Sequence, residues 1–168
     1  WTKHAGNPVF SASSGWDSYA IFLGNVLWNP GQSRYEMWYT AGSGWYQALQ
    51  VGFAVSADGI AWTRQPGPVF SAGDSVEWIH NDAEVIRAGS GYEMYYCSST
   101  GELRLATSLN GVTWTNSSCP PIAAPSQANW ESGWIGSSAV LLEGSAGRTI
   151  WYSGVGSNPA SIGIGVLR

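Results

Sequence analysis

Val51-Gly52-Phe53-Ala54-Val55-Ser56-Ala57-Asp58-Gly59-Ile60-Ala61-Trp62-Thr63 returns later in the chain as Leu103-Arg104-Leu105-Ala106-Thr107-Ser108-Leu109-Asn110-Gly111-Val112-Thr113-Trp114-Thr115. Each copy runs from an apolar stretch through Asp-Gly or Asn-Gly to Trp-Thr. Both dipeptides tolerate φ > 0 and are strong signals for a two-residue hairpin. Each string therefore predicts two adjacent antiparallel strands. A third copy opens as Ile162-Gly163-Ile164-Gly165-Val166. Its expected Trp-Thr strand lies at the other end of the chain, as Trp1-Thr2-Lys3.

The repeat extends upstream. Tyr35-Glu36-Met37-Trp38-Tyr39 recurs as Tyr92-Glu93-Met94-Tyr95-Tyr96 and, more loosely, as Thr149-Ile150-Trp151-Tyr152. Met37, Met94 and Ile150 mark the register, 57 and then 56 residues apart. Pro8-Val9-Phe10-Ser11-Ala12 recurs as Pro68-Val69-Phe70-Ser71-Ala72, with Pro121-Ile122-Ala123-Ala124 as a weaker third copy. A short apolar stretch around Val26, Val85 or Val140 precedes each Tyr-rich segment, and Gly89-Ser90-Gly91 and Gly144-Ser145-Ala146-Gly147 link the two in the later copies. Every unit thus reads as four antiparallel strands, and such units at a period above 40 residues indicate β-propeller blades. The expected fold is all-β: one domain over 1–168, with blades at about 8–67, 68–120 and 121–168, the last completed by 1–7. Propellers usually have 4–8 blades, and three make too wide a wedge for each sheet. The chain is expected to pair into a six-bladed homodimeric ring, with a fragment of a longer propeller as the alternative.

Composition narrows the function. Of 168 residues, 22 are Gly and 11 are Trp, while charged residues make up 11%, less than half the roughly 25% of an average domain. The net charge is −4, which excludes the basic footprint of a nucleic-acid binder. No apolar run approaches the ~20 residues of a membrane-spanning helix. His4 and His80 stand apart and no Cys/His spacing forms a metal set, so neither metal nor other cofactor is expected. Cys97 and Cys119 fall on lines two strand spacings apart, about 9–10 Å, beyond ordinary disulfide reach. Low charge with abundant Trp and Gly, together with the sequon Asn116-Ser117-Ser118, fits a secreted or extracytoplasmic protein.

The strings Gly15-Trp16-Asp17-Ser18, Val26-Leu27-Trp28, Tyr35 to Ala41 and Gly52 to Thr63 resemble the furanosidase-type propellers, including glycoside hydrolase families 43 and 62 and the mannoside phosphorylases. The resemblance runs along nearly the whole chain. It implies a glycan in the central channel, and three acids on inner strands of successive blades that hydrolyse it. The family's base commonly stands three residues before the inner-strand Val. Asp82 holds that place before Val85, while Leu23 and Ser137 hold it in the other two units.

The remaining candidates come from the residues themselves. Glycosidic cleavage needs two carboxyl groups about 5–9.5 Å apart. Asp17 and Glu131 each follow a Trp and precede the inner-strand Val by nine residues. Either serves as an acid beside Asp82, or both anchor loops between blades. His80, Asp82 and Glu84 alternate along one strand and would share a face toward the channel. Trp16, Trp78 and Trp134, and Trp45 in the insertion Ala41–Gln50, are the loop aromatics available to pack on sugar rings or on a partner. Two readings of function result. One is a propeller that binds a glycan in the central channel, with hydrolysis of it as a further expectation; the other is a non-catalytic propeller, lectin-like, devoted to assembly, or an engineered or fragment protein.

Overall fold

The computed structural model describes residues 1–44, 49–71, 79–118, 121–122, 125–126, 130–143, 147–157 and 160–167, with the backbone alone at 79–82, 137–143 and 166–167. Three antiparallel sheets follow one another. The first has the order β1 (Ala20–Asn29), β2 (Arg34–Gly42), β3 (Gln50–Ser56), β4 (Thr63–Arg64). The second repeats it with β5 (Ile79–Ala88), β6 (Gly91–Ser98), β7 (Leu103–Ser108), β8 (Thr115–Asn116). The third has three strands, β9 (Trp134–Glu143), β10 (Gly147–Val155) and β11 (Ser161–Leu167). No helix occurs among the described residues.

Both faces of the sheets are apolar, so the sheets stack. On β2, Trp38 points to the second sheet and packs with Phe53, Val85, Tyr92, Met94 and Ala106, while Met37 and Tyr39 point the other way. On β6, Met94 faces the first sheet and Tyr95 faces the third, where it meets Cys97, Leu103, Ile135 and Ile150. This is why the Tyr-rich segments lack an apolar–polar alternation. The first strands touch in succession, β1 on β5 and β5 on β9, and β9 does not touch β1 among the described residues. The chain is an open arc of blades.

The openness corrects one expectation. Within the single chain, residues 1–7 form no strand and do not complete the third sheet. They turn on themselves, Asn7 N donating to His4 O at 3.2 Å. The segment that follows is fixed to the first sheet, two blades from β11: Phe10 packs edge-on against Tyr39 at 4.9 Å and Arg64 donates to Ser11 O at 2.7 Å.

The Asp-Gly and Asn-Gly links are also longer than two-residue hairpins. Residues 57–62 and 109–114 form the connections. Asp58 Oδ1 accepts from the amides of Ile60 and Ala61, both at 2.8 Å, and Ser56 Oγ accepts from Gly59 N at 2.9 Å. Asn110 and Ser108 repeat the arrangement. Only the glycines take positive φ, 75° at both Gly59 and Gly111. Side-chain capping by Ser and Asp or Asn supplies a wider turn than the hairpin rule foresees.

A polar staple repeats at the blade interfaces. Glu36, fully buried, accepts from Tyr92 Oη at 2.7 Å and from Arg87 at 3.2 Å across the interface, and from Asn29 and Arg34 within its own sheet. At the equivalent interface Glu93 accepts from Arg148 at 2.6 Å. Burial alone would raise the Glu36 pKa. The hydrogen bonds from Tyr92, Asn29 and Arg34 outweigh it and hold the carboxyl below its ordinary 4.5. A depressed folded-state pKa stabilises above the unfolded value and is lost as pH falls through the folded one. Stability should therefore decline below about pH 4.5, and Glu36→Gln should flatten that acid slope in pH-dependent urea titrations. Removal of the carboxylate in Glu36→Ala should cost about 3 kcal/mol at neutral pH, the low end for a broken buried pair because both guanidiniums reach solvent.

Candidate functional site

Each first strand is irregular at a similar place in the repeat. The β1–β2 register shifts between Leu23 and Asn25. The β5–β6 register shifts between His80 and Glu84, and the β9–β10 register shifts between Ile135 and Ser138. These breaks lie just ahead of Val26, Val85 and Val140. Bulges of this kind re-aim side chains and concentrate near functional sites. Asp82 lies inside the β5 break, the widest of the three. His80 and Glu84 bound this break, and the side chains of His80 and Asp82 lie outside the described residues.

Close approach of the blades fixes the break in β1. A Cβ on Gly24 would stand 2.6 Å from Ala83 O and 2.9 Å from Trp38 O. Next to it, Asn25 offers its side-chain amide to Val85 as a strand would, donating to Val85 O at 2.5 Å and accepting from Val85 N at 3.2 Å. Asn25 escaped the sequence reading; its one signal is an amide within the apolar run Ile21-Phe22-Leu23-Gly24-Asn25-Val26. Glu84, its repeat equivalent on β5, is half-buried.

Asp17 and Glu131 occupy matching places in the loops that lead into β1 and β9. Asp17 is fully buried. It accepts from Ser13 Oγ, from Tyr39 Oη at 3.3 Å and from Arg64 of β4 at 2.7 Å. Burial, with Asp17 beside it, raises the Tyr39 pKa far above the usual phenol range. Glu131 accepts from Ser126 Oγ at 2.5 Å and from Tyr152 Oη at 3.2 Å. Each acid is bonded within its own sheet, and no hydrogen bond joins the two. The same loops hold stacked rings: Trp16 on Tyr39 at 5.9 Å and Trp130 on Tyr152 at 5.7 Å.

Trp134 is the first residue of β9 rather than a loop residue, and it is partly exposed against the Gly101 turn, where Ile135 N donates to Gly101 O at 3.0 Å. Trp45 and Trp78 lie outside the described residues, and His80 and Asp82 are described by backbone only. Cys119 also lies outside. Cys97 is a free, buried thiol whose pKa burial pushes up to about 12. Among the described residues no three His, Cys, Asp or Glu side chains gather as metal ligands would.

No family profile and no curated protein matches the sequence. Solved structures do match the fold. A glycoside hydrolase superposes with a TM-score of 0.81 at 23% identity, over 96% of this chain and 51% of its own. A member of the GH130 family of mannoside phosphorylases, described as containing hydrolases that target β-1,2 mannosidic linkages in Candida mannan, gives 0.69 at 19% identity, over 89% and 52%. The Bombyx mori GH32 β-fructofuranosidase gives 0.64 at 16% identity, over 87% and 33%. The chain thus shares its fold with these proteins and spans about half the length of the first of them.

The Asp17 cluster yields a stability prediction. Arg64→Met leaves a buried carboxylate without its cation and should cost about 3 kcal/mol. Asp17→Asn combined with Arg64→Met should recover part of that loss in a double-mutant denaturation cycle. Strict additivity would show that the pair is not coupled.

Proposed function

We propose that this chain is a carbohydrate-binding propeller arc whose ligand lies at the end of the first strands where β1, β5 and β9 leave their ladders. Asp82 is the acid of that site. The observation that carries the reading is the coincidence of Asp82 with the widest of three repeat-equivalent bulges, on a fold shared with glycoside hydrolases. A carboxylate there would accept hydrogen bonds from sugar hydroxyls. Glu84 and His80 on the same strand and Trp134 on the next supply further polar and aromatic contacts.

Glycan binding is favoured over hydrolysis. Cleavage needs a second carboxyl beside the first, and the equivalent places ahead of Val26 and Val140 hold Leu23 and Ser137. Asp17 and Glu131 are better read as loop anchors, since each repeats the other and each is bonded to Ser and Tyr of its own sheet. Hydrolysis remains the second reading, with Asp82 as base and Glu131 or Asp17 as acid.

A glycan array spanning furanosides, mannosides and xylosides tests the first reading, followed by titration of the best binder against Asp82→Asn. Binding should weaken about tenfold or more, the loss of one charge-assisted hydrogen bond. Silence across the array, or unchanged affinity in the variant, would sink the assignment. Aryl-glycoside turnover that disappears in both Asp82→Asn and Glu131→Gln would move the conclusion to hydrolysis.

A further inference from the structure

The break in β5 is held at both ends, and each end is tied to a different neighbouring blade. At its start His80 pairs with Cys97 of β6. The Cys97 thiol in turn donates to Gly136 O of β9, in the third sheet. At its close the first sheet takes hold. Ala83 and Val85 are buried, and β5 is an edge strand of its sheet. Val85 N donates to Asn25 Oδ1 at 3.2 Å, and Val85 O accepts from Asn25 Nδ2 at 2.5 Å. Both backbone groups therefore point off the free edge of β5 rather than into its ladder. Buried backbone groups need partners, and the one side-chain amide supplies both. Two residues earlier, Ala83 O lies where a Cβ on Gly24 would come within 2.6 Å. Gly24 and Asn25 thus meet β5 on either side of Glu84, and Asp82 is the residue next to that contact.

Blades do not need this amide in order to dock. Asn25 stands opposite Trp38, and the residues in the same register are Glu84, opposite Tyr95, and Ala139, opposite Trp151. Neither a carboxylate nor a methyl group donates and accepts at once as an amide does. The second and third sheets nonetheless pack through Tyr95, Cys97, Leu103, Ile135 and Ile150. Asn25 is a departure from the repeat at the junction that bears on Asp82.

We propose that Asn25 is a positioning residue of the glycan site. Through its amide the first blade sets the path of residues 81–83 in the second, and with it the place of Asp82. The inference rests on the reading of Asp82 as the acid that meets the ligand. Between His80 and Glu84 no ladder to β6 holds the chain, so the contact with β1 takes over that task. Asn25 itself need not touch the sugar; its effect on binding passes through Asp82.

Two measurements test this without any sugar. Asn25→Ala removes both hydrogen bonds, and Asn25→Leu does so at nearly constant volume should the smaller residue fail to fold. In either variant the Val85 amide should exchange about tenfold faster, the net loss of one hydrogen bond. Carbon-13 NMR of the Asp82 carboxyl should show a displaced titration midpoint in the same variants. Asn29→Ala, which removes a donor to Glu36 at the same interface but away from the break, should leave that midpoint in place. A third measurement uses the best binder from the glycan array. Asn25→Ala should weaken it about tenfold, and should cause no further loss once Asp82→Asn is present. An unmoved Asp82 midpoint in both Asn25 variants, an equal displacement in Asn29→Ala, or an undiminished loss in the Asp82→Asn background would each overturn the positioning role. A silent array removes the glycan reading instead, and exchange and titration then decide on Asn25 alone.

Discussion

A blade with two apolar faces cannot be stable alone, and that constraint organises the structure. Trp38 carries it most visibly. Its ring is fully buried between the first two sheets, and its indole N–H finds the carbonyl of the Gly111 turn in the neighbouring sheet. A buried N–H without an acceptor would cost ~1–3 kcal/mol, so the turn that offers the carbonyl is tied to the Trp that needs it. The Gly111 carbonyl takes Trp114 as well, and a Cβ at Gly111 would stand 2.7 Å from the Trp38 ring.

The same constraint explains where polar groups are tolerated. Two sheets that approach closely enough for Gly24 to touch Ala83 O leave no room for water between them. Most of the polar groups placed there are paired, across the gap or within their own sheet. Asn25 meets the Val85 backbone with both ends of its amide, and Glu36 gathers Tyr92, Asn29 and two guanidiniums. These groups fix the azimuth of one blade on the next, which apolar packing alone leaves loosely defined. They thereby position the bulged first strands relative to one another.

Much of this was legible in the sequence, and the parts that were not have a common cause. The repeat revealed the sheets, their strand order and the inward Trp and Tyr positions, because burial on both faces writes a pattern into each copy. The turn length escaped, since Asp-Gly signals positive φ at glycine but says nothing of the Ser two residues earlier that widens the loop. The bulges escaped because an extra residue in a ladder leaves no mark on composition. Asp82 was singled out by its place before Val85, yet the expected alternation with His80 and Glu84 presumed a regular strand. The resemblance of Trp1-Thr2-Lys3 to the outer strands suggested a closing strand, yet residues 1–7 form none and complete no sheet of this chain.

Repetition itself separates architecture from chemistry here. Features of the architecture are copied: the Trp-Thr start of the outer strand and the capped glycine turn in the first two sheets, and in the first and third a Tyr that receives a stacked Trp and bonds an acid in the leading loop. Asp17 and Glu131 belong to this class, and their partners Tyr39 and Tyr152 are copied with them. A ligand breaks the symmetry of the blades around it, so the groups that bind it need not recur. Asp82, set where the other units place Leu23 and Ser137, is such a departure, and it falls where the backbone already leaves its ladder. The acid that the repeat does not require is therefore the one we propose for the ligand.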